Sequence, residues 1–240
     1  MKPTAVIPSL LVFGPLTELP SREVLEELRL ELVENSQLTV LLDAVKDLAT
    51  FWQTLTDFDP ELKHVPGSKY LGDLLQWVVY GGSFPHYLDQ NPNVYCLPVT
   101  IILHTTQYVR YLDHLGGTEP HRLILDGVRA GGIQGFCVGF LSAIAISTSY
   151  TQGDIAAKAA VSLRLAVCVG AYVDRDGSFA QEPSSVVCVA VRWRSDEVKE
   201  KALAGLIRGY PGVSLANSVT SSAEITQLID LKTGLHFEFQ

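Results

Sequence analysis

Apolar positions recur at a helical interval over much of the chain. From Ser21 the residues Val24, Leu25, Leu28 and Leu32 fall on one stripe, and Leu38, Leu41, Leu42, Val45, Leu48 and Trp52 continue the same period. The spacing predicts two amphipathic helices. Tyr70, Leu71, Leu74, Leu75 and Val78 mark a third, ended by Gly81 and Gly82, with residues 85–92 as a loop. A largely apolar helix is expected from about Pro98 to Leu115. Ahead of all these, the apolar run 10–13 closed by Gly14-Pro15 reads as a short strand.

Gly116-Gly117 and Pro120 interrupt the pattern, and the stretch from there through Gly135 holds short apolar runs suited to one buried strand. Leu141, Ile144 and Ala145 predict a helix over 138–149. A second apolar helix is expected over 155–173, closed by Asp174-Arg175-Asp176-Gly177. Both would pack against a sheet. Composition shifts at Gln181-Glu182-Pro183-Ser184-Ser185, a boundary or linker into a different unit. Beyond it the valine-dense stretch 186–193 reads as a strand. Ser195-Asp196-Glu197 would cap a helix bearing Val198, Ala202, Leu203, Leu206 and Ile207 and ending at Gly209, and 213–216 as another strand. Strand, helix and strand make half of a ferredoxin-like split motif, which ordinarily needs a second half to complete its sheet. The pattern as a whole is α/β, with one unit over residues 1–180 and a second over 181–240.

Composition narrows the function. At 240 residues and 47% apolar content the chain is long enough for one sizeable core, and 18 Lys and Arg against 26 Asp and Glu provide no basic face for nucleic acid. The low-charge stretches 133–147 and 155–173 are interrupted by glycines or by Lys158 and Arg164. Neither supplies the roughly 20 clean apolar residues of a membrane span. The N-terminus lacks the parts of a signal peptide, so a cytoplasmic protein that does not engage membranes is expected. Cys96, Cys137, Cys168 and Cys188 form neither CxxC pairs nor a dense framework, which argues against disulfides and against a zinc site.

One constellation carries chemistry. Gly135-Phe136-Cys137-Val138-Gly139 has the form Gly-x-nucleophile-x-Gly between an expected strand and an expected helix, the arrangement of a nucleophile elbow. A sharp strand-to-helix turn holds the nucleophile in a strained conformation, and flanking glycines remove the Cβ atoms that would collide there. The helix that follows aims its free N–H groups at the site, so Val138 N–H is the candidate oxyanion donor. The bland reading is a cysteine between two glycines in an apolar helix. A thiol nucleophile also needs a base, and no histidine has a motif around it. His104 sits in an apolar helix and reads as a packed core residue. His64, His86, His114 and His121 lie near loops or helix ends and read as solvated, and His236 is close to the C-terminus. Arg164, between Leu163 and Leu165, must pair with a carboxylate, contact substrate or turn to solvent.

These residues resemble a known family, the starter-unit acyltransferase domain of fungal non-reducing polyketide synthases. The resemblance runs from Val12 to about Asn217. It is carried by Val12-Phe13-Gly14-Pro15, His64-Val65-Pro66-Gly67-Ser68-Lys69, Thr106-Gln107-Tyr108-Val109-Arg110-Tyr111-Leu112, the Gly-x-Cys-x-Gly centre from Gln134 to Ala143, and Arg164-Leu165-Ala166 with Gly170-Ala171-Tyr172-Val173-Asp174. It implies a malonyl-transferase-like, α/β-hydrolase-type large lobe and part of a ferredoxin-like small lobe. It also implies a ping-pong transfer. An acyl group would pass from coenzyme A or a fatty acid synthase carrier to Cys137, then to the phosphopantetheine thiol of an acyl carrier protein, with no bound cofactor. The family's catalytic histidine follows the inserted small lobe, and no position here matches it, so a truncated domain is expected. Leu16 stands where the family has a glutamine. The alternatives from other classes are a catalytically dead module that binds carrier protein, and a thioester hydrolase.

Overall fold

A computed structural model describes residues 10–16, 20–85, 92–178, 187–193, 213–220 and 225–231. The chain divides into two compact units, Met1–Phe179 and Ala180–Gln240.

The first unit is mostly helical around a small sheet. Strand β1 (Leu10–Phe13) leads to α1 (Arg22–Glu34), whose Ser21 side chain accepts the Val24 N–H as an N-cap. Leu25, Leu28 and Leu32 form its buried stripe. The second periodic stretch, expected as one helix, is a short 3-10 turn (Ser36–Leu38) followed by α2 (Thr39–Lys46) and α3 (Leu48–Phe58). The break at Asp47 is slight: its N–H still reaches Asp43 and its carbonyl still accepts from Phe51, so the helical phase carries through and Leu41, Val45, Leu48 and Trp52 stay buried. Helix α4 (Gly67–Tyr80) ends where the glycines predicted.

Helix α5 (Asn93–Leu115) begins five residues before its expected start and contains Pro98. Its N-terminal amides need acceptors that its own sequence does not supply, since Pro92 at the N-cap makes no side-chain hydrogen bond. Asp174 supplies them from another helix. One carboxylate oxygen accepts the Asn93 N–H at 2.9 Å and its side-chain amide at 2.8 Å, and the other accepts the Val94 N–H at 2.8 Å. Asp174 belongs to α8 (Gln152–Ser178), which runs straight through the four residues expected to close it. Small residues bring α8 close to α5: Ala156, Ala159, Ala160, Ala166 and Ala171 are buried between them and their neighbours. By length and composition, residues Gln152–Arg175 would suffice to cross a membrane, yet more than half of the most apolar stretch is buried within the unit.

The largest departure lies between α5 and the sheet. The stretch expected as loop and strand is α6 (Thr118–Gly131), and the strand is only β2 (Gly132–Gly135). Pro120, read as a breaker, stands in the first turn of α6, where its missing N–H would have no intrahelical partner anyway. Strand β2 pairs parallel with β1, from Leu10 opposite Gly132 to Phe13 opposite Gly135. Helix α7 (Gly139–Ser147) follows directly.

In the second unit β3 (Val187–Trp193) and β4 (Val213–Thr220) flank β5 (Ile225–Leu231), each antiparallel to it. Strand β5 comes from a tail that the sequence pattern left without structure. It pairs with both of the expected strands and so supplies part of what their half motif needs to complete a sheet. The predicted linker 181–185 and the helix expected over 195–209 lie outside the described residues.

Candidate functional site

The turn between β2 and α7 is built by three backbone contacts. Phe136 N–H donates to the carbonyl of Phe13 at 2.8 Å, fastening the end of β2 to the end of β1. Gly139 N–H then donates to the Phe136 carbonyl at 3.0 Å and Phe140 N–H to the Cys137 carbonyl at 3.1 Å, winding the first turn of α7. Between these constraints Cys137 is forced to φ 54°, the one non-glycine residue with positive φ among the described residues. Such a conformation costs about 1–3 kcal/mol and persists only where its surroundings impose it.

The two glycines of the motif are needed for space rather than for their own dihedrals. A Cβ on Gly135 would overlap the backbone of Phe140 and Gly139, and one on Gly139 would overlap the carbonyl of Phe13. Strand and helix approach too closely for any side chain at either position. The result is an exposed Cys137 side chain at the mouth of the turn and a buried Val138 beside it. Val138 N–H donates to none of the described residues, which leaves it open to a ligand atom near the thiol. Among the described residues Cys137 Sγ has no hydrogen-bond partner.

The other cysteines differ. Cys96 on α5 is half-buried, and burial with the nearby Asp174 carboxylate pushes its thiol up to about 11. Burial raises the Cys168 thiol on α8 as well. The side chain of Cys188, on β3, lies outside the described residues.

His104, on α5, is largely buried, with Nδ1 3.0 Å from Ser142 Oγ on α7 and its ring edge-on to Phe13 at 5.4 Å between centroids. Burial pushes its pKa down to about 4. It is thus a neutral imidazole packed beneath the elbow, not bonded to the thiol. His121, expected to be solvated, is fully buried on α6. Its Nε2–H donates to the Ser149 carbonyl at 3.1 Å, so Nδ1 carries the lone pair that accepts the Tyr108 hydroxyl at 3.0 Å. Burial lowers its pKa too. The sequence pattern missed it because α6 was not foreseen. His64 and His114 are exposed, and His86 and His236 lie outside the described residues.

Arg164 is part-exposed and pairs with Asp47 at 3.7 Å, at the junction of α2 and α3. Leu16 lies three residues beyond the end of β1 and is partly buried against the core. The sequence offered no sign that Phe13 clamps the turn or that Ser142 meets His104, because both relations join residues distant in the chain.

An exposed thiol held at positive φ between a parallel strand and the start of a helix, with flanking glycines that have no room for a side chain, has the geometry of a strand-to-helix turn of the nucleophile-elbow kind. The family described as "Starter unit:ACP transacylase in aflatoxin biosynthesis" matches residues 85–227, a range that includes the whole elbow. The chain belongs to this family, abbreviated SAT. It is 36% identical over 221 residues to the non-reducing polyketide synthase esdpA of Penicillium shearii, covering 92% of this chain and 10% of that protein. It is 34% identical over 240 residues to the non-reducing polyketide synthase spyA of Aspergillus fumigatus, covering 96% and 13%. A 5-methylorsellinic acid synthase of Aspergillus terreus is 36% identical over 221 residues, covering 91% and 8%. The chain spans about a tenth of the length of these curated relatives.

Proposed function

We propose that this SAT domain loads a starter acyl group on Cys137 during polyketide biosynthesis and passes it to an acyl carrier protein. The observation that carries the reading is the exposed Cys137 at φ 54° beside an unengaged Val138 N–H. The Cys137 thiolate attacks the thioester carbonyl of an acyl-coenzyme A or of a fatty acid synthase carrier. A bond forms between Sγ and the carbonyl carbon, the Val138 N–H holds the oxyanion, and the carbon–sulfur bond to the donor breaks as the donor thiol leaves and takes a proton. In the second half the phosphopantetheine thiol of the carrier protein attacks the acyl-cysteine and frees Cys137. The thioester is a substrate, and neither a resident cofactor nor a metal enters these steps.

The first unit is then the N-terminal part of a malonyl-transferase-like large lobe, a reading supported by the parallel β1–β2 pair leading into the elbow. The second unit is part of a ferredoxin-like small lobe. Its support is the order β3-β5-β4, in which a third strand lies between two strands that run the same way. Cytoplasmic placement belongs to the same proposal.

The reaction requires a base that deprotonates Cys137 and reprotonates the leaving thiol. No described histidine bonds the thiol, so the base is assigned to polypeptide other than the described residues. A SAT domain without such a base should load acyl groups roughly 10²–10⁴-fold more slowly. Intact-mass measurement of the 240-residue chain with a panel of acyl-coenzyme A thioesters tests this. Slow, Cys137-dependent acylation that accelerates when the C-terminal part of a complete SAT domain is appended is the expected result. The lack of a hydrogen-bond partner at Sγ favours one second reading, a module that binds carrier protein without turnover. Carrier binding with no acylation of Cys137, even in the extended protein, would establish it. Release of free acid instead of transfer would identify a thioester hydrolase.

A further inference from the structure

The elbow is clamped from below by a side chain that takes no part in the steps above. The ring of His104 touches the two elements that enclose the turn, meeting Phe13 at the end of β1 edge-on and Ser142 in the second turn of α7 at 3.0 Å. Phe13 is also the residue whose carbonyl fastens Phe136 and fills the space beside Gly139. We propose that His104 is a positioning residue for Cys137, which fixes the first turns of α7 through the Ser142 hydroxyl.

The physical case turns on Ser142. Its side chain is fully buried, and His104 is its one hydrogen-bond partner among the described residues. In the tautomer that carries its proton on Nε2, His104 Nδ1 accepts the Ser142 hydroxyl, and on losing the imidazole that buried hydroxyl would seek another acceptor. The acceptor nearest to a serine within a helix is the carbonyl four residues earlier, which here belongs to Val138. Such back-bonding bends a helix, and it would do so one peptide away from the Val138 N–H and two from Cys137. His104 prevents this by holding the hydroxyl toward α5. A neutral imidazole suffices, and burial keeps this one neutral at ordinary pH. A packed histidine that merely fills space would be replaced equally well by leucine.

The inference rests on Cys137 being the nucleophile, but its test reads the elbow independently of acyl transfer. In the 240-residue chain, the rate of Cys137 alkylation by iodoacetamide is measured by mass spectrometry together with the thermal midpoint. His104→Leu should slow alkylation of Cys137 about tenfold, in line with the sensitivity of reacting groups to small displacements. His104→Gln, whose amide can still hold a hydroxyl, should stay within about twofold of the native rate. Adding Ser142→Ala to His104→Leu should recover most of the loss, since the hydroxyl that bends the helix is gone. A native rate in His104→Leu overturns the proposal. So does an equal loss in His104→Gln, or a simultaneous rise in Cys96 and Cys168 labelling, which would mean general loosening. If no thioester acylates even the extended native protein while this alkylation pattern holds, the acyltransfer reading fails and the positioning role stands.

Discussion

The carbonyl oxygen of Phe13 occupies the space that a side chain at Gly139 would need. Residues 126 positions apart are therefore in backbone contact, and the turn that carries Cys137 depends on that closeness. Gly139→Ala must push β1 and α7 apart. The expected result is a loss of about 1–3 kcal/mol of stability, as in other overpacked sites, together with slower alkylation of Cys137. Urea denaturation and timed labelling check the two effects. An alanine variant as stable and reactive as the parent would mean that the strand and helix separate freely.

The cysteines should react in an order set by their surroundings. Cys137 is exposed at the turn, whereas Cys96 and Cys168 are half-buried thiols with raised pKa values. Iodoacetamide at neutral pH should modify Cys137 first, and Cys137→Ala should abolish the fast phase. Peptide mapping at early times decides this, and comparable early labelling of Cys96 would contradict it.

Asp174 satisfies three donors at the start of α5. Asp174→Ala should cost about 1–2 kcal/mol, the range for a lost helix cap, with a lower urea midpoint. Asp174→Asn keeps one acceptor oxygen and should lose less. An alanine variant with an unchanged midpoint would show that water serves α5 equally well.

Acid should destabilise the first unit before its carboxylates titrate. His104 has its pKa depressed to about 4 by burial, and that of His121 is lowered as well. In the unfolded chain both take the ordinary histidine value of about 6.5. Between those values the unfolded chain binds protons that the folded one refuses, so stability is full above about pH 6.5 and falls as pH drops toward 4. Thermal midpoints measured across that window should decline, and His104→Gln should decline less steeply. Equal slopes in the two proteins would exclude His104 as a source.

Much of this protein is legible in its sequence. The stripes Leu25-Leu28-Leu32 and Leu71-Leu74-Val78 declare their helices because burial of one face selects which positions are apolar, and that selection is local. Gly135-Phe136-Cys137-Val138-Gly139 marks the candidate nucleophile for a similar reason, since the turn it forms needs those glycines within five consecutive residues. Helix α6 was hidden because Pro120 serves equally as a breaker and as a first-turn residue, and only packing distinguishes the two. What tertiary structure alone decided is who meets whom: Phe13 with Gly139, His104 with Ser142 across 38 positions, and Asp174 with Asn93 across 81. Periodicity tells which face of an element is buried but not which other face covers it. Those pairings settle how the turn around Cys137 is held and how the start of α5 is capped.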